Sequence, residues 1–202
     1  MLLKIYKRAG IVLLITVMGF SIPGYSQKNQ NTDTVLYWNQ GQRLTFDDFQ
    51  GKPGEADTAL YRSSATMLTH KLGAIVKSID VHLVTEKRKT TFIIHAAMLK
   101  NKSWIKNTGD TISLKHEQGH FDICEMHARM LRRDIVKARS IAEARQMFEA
   151  SAAKEELEQD EYDRVNTFEA GGITSEWSNK IFAALTQLKQ YTNAAIVLPI
   201  DR

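Results

Sequence analysis

The sequence predicts an α+β fold, in which a small antiparallel sheet of about three to five strands precedes a three-helix C-terminal part. Two patterns support this class. Short runs of alternating apolar residues lie in the first half of the chain, and apolar residues at helical spacing dominate the second half. In addition, 43% of the 202 residues are hydrophobic, which is enough for one globular domain with a core.

Residues 1–26 have the three parts of a secretory signal peptide. Three basic residues precede an apolar run over residues 11–20, and Pro23 then breaks the helical pattern. Small residues before the cut predict cleavage near Ser26. An uncleaved anchor is the alternative, but the apolar run is short for a bilayer span. We therefore expect a secreted or periplasmic protein with no stable membrane span after signal cleavage.

The charge and the cysteine count limit the possible functions of the remaining chain. The formal net charge is +4, and three of these charges belong to residues 1–26, so the remainder carries +1 and no nucleic-acid partner is expected. Residues 27–33 form a polar linker, and residues 34–202 form a single domain. The only cysteine is Cys124, which excludes an intramolecular disulfide. We interpret Cys124 as a core residue, with a thiolate metal ligand as the alternative.

The predicted strands occupy the first half of the chain. Residues 34–38, 64–70, 79–85 and 90–98 are rich in β-branched and aromatic side chains. The Lys87-Arg88-Lys89 run between the last two indicates a hairpin turn. Before the second strand, Asp47 and Asp48 are interpreted as turn caps, with a cation site as the alternative.

The predicted helices follow from capping signals. Residues 108–111 offer capping side chains for a first helix over residues 111–136. Ser140 and Glu143 have capping-box spacing, which predicts a second helix over residues 141–165. A third helix is predicted over residues 175–191, and an apolar tail at 195–200 could add a strand.

The first long helix carries the pattern H-E-x-x-H at residues 116–120. Residues four apart lie on the same face of a helix, so His116 and His120 can both direct a ring nitrogen to one metal ion. Neutral imidazole is a good zinc ligand. Glu117 lies beside them, where a carboxylate could take a proton from a water activated by the metal. The alternative interpretation is a solvated helix with two incidental histidines.

A third metal ligand must come from another element. His127 lies eleven residues after His116, about 16 Å along a straight helix, so one ion cannot contact both. If the first two helices form an antiparallel hairpin that turns near Arg139, position 118 faces a residue near position 160. Several acidic residues lie near that position, and we favour Asp163 as the ligand, with Glu169 as the alternative. The others are Glu156, Asp160 and Glu161, and a solvated helix face is the competing interpretation of this run.

Residues 114–125 resemble a bacterial family of unknown function that is described as predicted secreted zinc-dependent proteases. The resemblance extends to Trp38 with residues 44–51, to Ser103-Trp104 before the motif helix, to Tyr162-Asp163 and to Trp177. It implies a secreted peptidase with a gluzincin-like H-E-x-x-H zinc site. The sequence departs from the family after Tyr162-Asp163, where the family commonly has a His-Gly pair and this chain has Glu169 in that region.

The motif and the resemblance together predict a zinc metallopeptidase that acts on a peptide or protein substrate. In this hypothesis His116, His120 and Asp163 hold zinc, Glu117 is the general base, and Tyr162 stabilises the oxyanion. The strand over residues 90–98, taken as an edge strand, could pair with an extended substrate. The alternatives are a zinc hydrolase of another cell-envelope amide bond, and a non-catalytic envelope binding or scaffold protein with a degenerate metal site.

Overall fold

The computed structural model describes residues 31–54, 73–86, 89–166 and 171–199, and over these ranges the predicted α+β class is confirmed. An antiparallel sheet packs against three helices. The predicted signal peptide, most of the linker, the predicted strand at 64–70 and Glu169 lie outside the described residues. The elements are β1 (Val35–Tyr37), β2 (Gly73–Ala74), β3 (Lys77–Glu86), β4 (Lys89–Leu99), β5 (Trp104–Ile105), α1 (Thr111–Ile135), α2 (Ile141–Val165), α3 (Ser175–Gln187) and β6 (Ala195–Leu198).

Strand β4 is the centre of the main sheet. It pairs with β3 along one side, and with the short strands β1 and β6 at the two ends of its other side. Between these ends, the Trp38 N–H donates to Ala96 O at 2.9 Å, and the Ile94 N–H donates to Ala194 O at 2.9 Å. The prediction that this strand lies at an edge was therefore wrong. Because two short strands share one side of β4, no free edge remains there for substrate to pair with.

Several boundaries agree with the sequence patterns. Glu86 pairs with Lys89, which confirms the hairpin, although Lys87 and Arg88 themselves are not described. The tail strand forms as β6. The third helix ends at Gln187, earlier than predicted, and a 3-10 turn over Lys189–Tyr191 follows it. The small β2–β5 sheet was not predicted, because strands of two residues are too short to show alternation.

Helix α1 lies between two hydrophobic cores. Sixteen of its 25 residues are buried, so it is the central element of the domain. One face packs against the sheet and the start of α2, and Cys124 lies fully buried in this core, as predicted. The opposite face packs against α2 and α3. The second core contains Ile123, Met126, Tyr162, Trp177, Ile181 and Leu188.

The segment that follows β1 is fastened to α1 by polar contacts. The Leu44 N–H donates to Gln118 Oε1 at 2.8 Å, and the Trp38 indole N–H donates to Asp122 Oδ1 at 2.7 Å. The next turn is capped by Asp48, whose Oδ2 accepts from the Thr45 N–H and hydroxyl, which confirms the predicted turn cap. Among the residues that the structure describes, no helix combines the length and the apolarity needed to cross a membrane.

His95, on β4, is held uncharged at neutral pH. Burial and the nearby Arg132 guanidinium lower the pKa of His95 to about 4. Its ring lies 4.8 Å from the Tyr37 ring, measured between centroids. A histidine whose pKa is lower in the folded than in the unfolded chain binds its proton only at the expense of folding.

We expect His95 to make the protein less stable in mild acid. Between pH 6.5 and 4 the unfolded chain protonates this residue and the folded chain does not, so the free energy of unfolding falls as the pH falls. The difference between pH 7 and 4.5 should amount to about 2–3 kcal/mol for this residue. Urea unfolding at both pH values, on wild type and His95→Gln, measures it. An equal loss of stability in both proteins would contradict the assignment.

Candidate metal centre

The hairpin of α1 and α2 brings the predicted ligands together. Helix α2 begins after Ser140, whose side chain accepts from the Glu143 N–H at 3.1 Å, as the capping spacing predicted. His116 then faces Asp163, and His120 faces Gln159. In each pair the midpoint of the two residue numbers falls between Arg139 and Ser140. The hairpin therefore turns near Arg139, as predicted.

Three side-chain atoms converge within this hairpin. His116 Nε2 and His120 Nε2 are 3.0 Å apart, and Asp163 Oδ1 lies 3.1 Å from the former and 2.8 Å from the latter. Ligand atoms around a tetrahedral zinc ion, at bond lengths of about 2.0–2.1 Å, are about 3.3 Å apart. The three atoms therefore suit a single ion after small adjustments, and the cluster could hold a metal.

In each ring, the hydrogen bond of Nδ1 determines that Nε2 is the nitrogen that is free to bind a metal. His116 Nδ1 lies 3.0 Å from Gly172 O, and His120 Nδ1 lies 2.5 Å from Gln159 Oε1. Both oxygens only accept hydrogen bonds, so in the neutral rings the proton resides on Nδ1 and the Nε2 lone pairs face Asp163. Three acceptors that converge in this way repel one another unless a cation lies between them. Metal-binding histidines are commonly oriented by such contacts.

The Gln159 amide is itself held in one orientation. Its Nε2 donates to His120 O at 3.1 Å and to Glu155 Oε1 at 2.6 Å, so its oxygen must be the atom that faces the His120 ring. Gln159 and Gly172 were missed in the sequence. Gln159 lies one helical turn before Asp163, on the same face of α2, and that spacing was the available signal. No local pattern indicates the Gly172 carbonyl, because it depends on how the α2–α3 connection packs.

The electrostatics of the cluster reflect attraction between the rings and the carboxylate. Burial lowers the pKa of His116. The hydrogen bond to Asp163 and the charge of Glu117 raise this pKa by more than burial lowers it, so the net shift is upward. Burial raises the pKa of Asp163, and hydrogen bonds to both histidines outweigh this effect, so the net shift is well downward. Without a cation, this attraction requires a protonated ring beside Asp163, and a bound cation would take the place of that proton. The Asp163 side chain is 57% exposed, so the cluster opens to solvent on this side.

Tyr162 lies directly beneath the two histidines. Its ring centroid is 5.1 Å from that of His116 and 4.7 Å from that of His120, and its hydroxyl donates to His116 O at 3.0 Å. The residue is fully buried. This approach requires glycine at position 119, because a Cβ there would overlap the Tyr162 hydroxyl. The hydroxyl thus contacts the helix backbone, and the predicted oxyanion role of Tyr162 stays a prediction.

Glu117 is buried beside the cluster. It is 4% exposed, and its Oε2 accepts from the Ile75 N–H at 2.9 Å. Burial raises the pKa of Glu117, although the charges of His120 and His116 act in the opposite direction. Its Oε1 accepts no hydrogen bond from the described residues and faces Gly73, where a side chain would press against it. The Ile75 N–H therefore anchors one oxygen, and no described residue donates a hydrogen bond to the other.

The other candidate ligands lie apart from the cluster. Glu156 and Asp160 are exposed, and the group that could hold a metal ion contains neither of them. The His127 ring, which helix geometry had excluded, is buried with its Nε2 2.7 Å from Glu158. Cys124 faces the sheet core. Glu169 lies outside the described residues, so it remains the alternative ligand that the sequence predicted.

The chain matches no protein-family model, no curated protein and no solved structure. The resemblance to the predicted secreted zinc-dependent proteases therefore stays a prediction from the residues. What the fold adds is the geometry of a His116–His120–Asp163 group that could bind a metal ion.

We expect the purified protein to bind one divalent metal ion through this group. Asp163→Asn should weaken binding strongly, because an uncharged amide replaces the anionic ligand, whereas Asp160→Asn, one turn away and also exposed, should bind like wild type. Gln159→Ala should weaken binding about 10- to 100-fold, because the His120 ring loses the partner that orients it. Titration with a fluorescent zinc competitor measures all four proteins. Equal affinity in wild type and Asp163→Asn would exclude Asp163.

We also expect Gly119→Ala to destabilise the protein. Helix propensity alone favours alanine by about 1 kcal/mol, but overlap with the Tyr162 hydroxyl should give a net loss of about 1–3 kcal/mol. The double variant with Tyr162→Phe should lose less than the sum of the single variants, because the nearest of the overlapping Tyr162 atoms is gone. Urea unfolding of the four proteins tests this coupling. A more stable Gly119→Ala protein would show that the helices are not in close contact here.

Proposed function

We propose that this protein is an exported, zinc-dependent metallopeptidase. The observation that carries the proposal is the convergence of two Nε2 atoms and one carboxylate oxygen, 2.8–3.1 Å apart, beside the buried Glu117. Export is inferred from the leader sequence and the reaction from the site.

The donor set suits zinc in a catalytic role. Two histidines and one carboxylate are a common ligand set of catalytic zinc, which keeps one position open for water or substrate. The exposed side chain of Asp163 would leave the group accessible to water and substrate. Bound zinc would supply a Lewis acid that polarises a peptide carbonyl and makes water more acidic. His116, His120 and Asp163 would hold it.

Glu117 is the general base in this proposal. Its Oε1 removes a proton from the attacking water as the new bond to the carbonyl carbon forms, and it then delivers that proton to the amide nitrogen as the carbon–nitrogen bond breaks. The Ile75 N–H holds Oε2 during both transfers. Burial raises the pKa of Glu117, and a carboxylate with a raised pKa is a better proton acceptor.

The surrounding residues hold these groups in position. Gly172 and Gln159 keep the Nε2 lone pairs directed at the metal position. Tyr162 is a positioning residue, because its ring supports both imidazoles and its hydroxyl binds the α1 backbone. A purely structural metal site has no use for a buried glutamate next to its ligands, so Glu117 favours the enzyme over the scaffold alternative.

We expect Glu117→Gln to lower peptidase activity about 10²- to 10⁴-fold while zinc content stays at the wild-type level, because the base is lost and the ligands remain. Glu161→Gln, an exposed change on α2, serves as the matched control and should keep full activity. Cleavage of a mixed peptide library by zinc-loaded protein is the measurement, with zinc content determined in parallel.

Three results would overturn parts of this proposal. Zinc-loaded wild type that cleaves no peptide in the library would exclude a peptidase of broad specificity. Cleavage of cell-envelope amides alone would support the alternative hypothesis, a zinc hydrolase of another amide bond. Full activity in Glu117→Gln would remove Glu117 from the mechanism.

A further inference from the structure

A second candidate site lies on the side of α1 away from the metal ligands. A cavity of about 530 Å³ is lined there by Glu125, Arg129 and Arg132 of α1, by His95 of β4, and by the segments 38–40 and 192–194. Residues 125, 129 and 132 project on the face of the helix opposite His116 and His120. The proposed peptidase reaction uses none of these groups.

The charges at the floor of this cavity do not cancel. Arg129 and Arg132 are each 2% exposed, and Glu125 is 3% exposed. The Glu125 carboxylate accepts from Arg129 Nε at 2.8 Å and from Arg132 Nη1 at 2.9 Å. His95 adds no positive charge at neutral pH, because its pKa is lowered to about 4. Two buried cations and one anion therefore leave a charge of +1.

One neighbouring carboxylate has to be counted as well. Asp122 does not line the cavity, and its Oδ1 accepts from the Trp38 indole and from the Gln118 amide. Its Oδ2 lies 3.5 Å from the Arg43 guanidinium, which supplies a matching positive charge. Asp80 of β3 also acts on His95, and its carboxylate is hydrogen-bonded to His82 Nε2 at 2.8 Å. The excess of one positive charge is therefore the balance of the three groups at the cavity floor, Glu125, Arg129 and Arg132. Buried charge without a counter-ion is costly, which favours an anionic occupant.

The hydrogen bonds identify which group would contact that occupant. The Arg132 guanidinium is fully engaged, because its nitrogens donate to Ile94 O, Tyr191 O and Glu125. Arg129 donates from Nε to Glu125 and from Nη1 to Leu185 O at 2.8 Å. Its Nη2 makes no hydrogen bond with the described residues. Since no fully buried side-chain nitrogen or oxygen among them lacks a partner, Nη2 keeps some exposure, and the cavity is the space that Arg129 lines.

We propose that this cavity binds a small molecule with a single carboxylate group, held by Arg129 Nη2. A monoanion neutralises the excess charge, whereas a dianion such as phosphate would leave a negative charge beside Glu125. The Trp38 ring, 5.1 Å from the Arg129 guanidinium carbon, supports the arginine and gives the cavity an apolar wall. Asn39 and Gln40 at the mouth offer neutral polar contacts. The volume is in the range of small-molecule sites.

Calorimetric titration of the purified protein with acetate, N-acetylglycine and inorganic phosphate tests this site. It is run at constant ionic strength and at a pH above the second pKa of phosphate, where phosphate is mainly a dianion. We expect saturable binding of the two carboxylates, tighter for N-acetylglycine because it fills more of the cavity. Arg129→Gln should bind at least about tenfold more weakly, because a hydrogen bond to a charged group is lost. Arg133→Gln is the matched control. It removes the same charge from an exposed arginine of α1 and should bind within about twofold of wild type.

The outcomes separate this proposal from the metallopeptidase. Zinc content and peptide cleavage should be unchanged in Arg129→Gln, since the two sites occupy opposite faces of α1. Equal carboxylate affinity in wild type and Arg129→Gln would overturn the proposal, and tighter binding of phosphate than of N-acetylglycine would overturn the choice of a monoanion. If Arg129→Gln does not fold, Gln40→Trp at the exposed mouth should block binding of N-acetylglycine. Unchanged binding in that variant would also overturn it.

Discussion

The metal centre depends on how closely α1 and α2 approach each other at Gly119. The missing side chain admits the Tyr162 ring beneath both imidazoles, and the hydroxyl bonds to the backbone of the turn that carries His116. This contact fixes the helix separation at which His116 and His120 reach Asp163 across the hairpin. A larger separation would leave two histidines on one helix and an aspartate on another, with no shared point between them.

Helix α1 is largely buried and yet carries polar and charged side chains on more than one of its faces. One face supplies the metal ligands, and another carries the Glu125–Arg129–Arg132 cluster. Buried ions contribute little to net stability, because desolvation offsets their attraction. These ions contribute instead by holding neighbouring elements in position. Arg132 joins the helix to Ile94 O of the central strand and to Tyr191 O of the 3-10 turn after α3, so the cluster sets the position of α1 relative to both.

The sequence predicted those features that follow from local repetition. Helix limits, the shared face of His116 and His120, and the position of Asp163 across a hairpin follow from the helical period and rise. The central position of β4 could not be predicted, because its pairing with β1 and β6 joins residues far apart in the chain. The Gly172 carbonyl is set by the packing of the α2–α3 connection. The cavity was also missed, since Arg129 and Arg132 resemble an ordinary basic helix end in the sequence.

The sharing of one side of β4 between β1 and β6 has a consequence for the order of folding. Thr90 pairs with Leu198, a partner about a hundred residues further along the chain, whereas the β3–β4 hairpin closes across two residues. Local pairings form fast, and loop closure over long separations is slow. We therefore expect the hairpin to form before β6 pairs with it, and an uncovered side of β4 would be prone to pair with other chains until then.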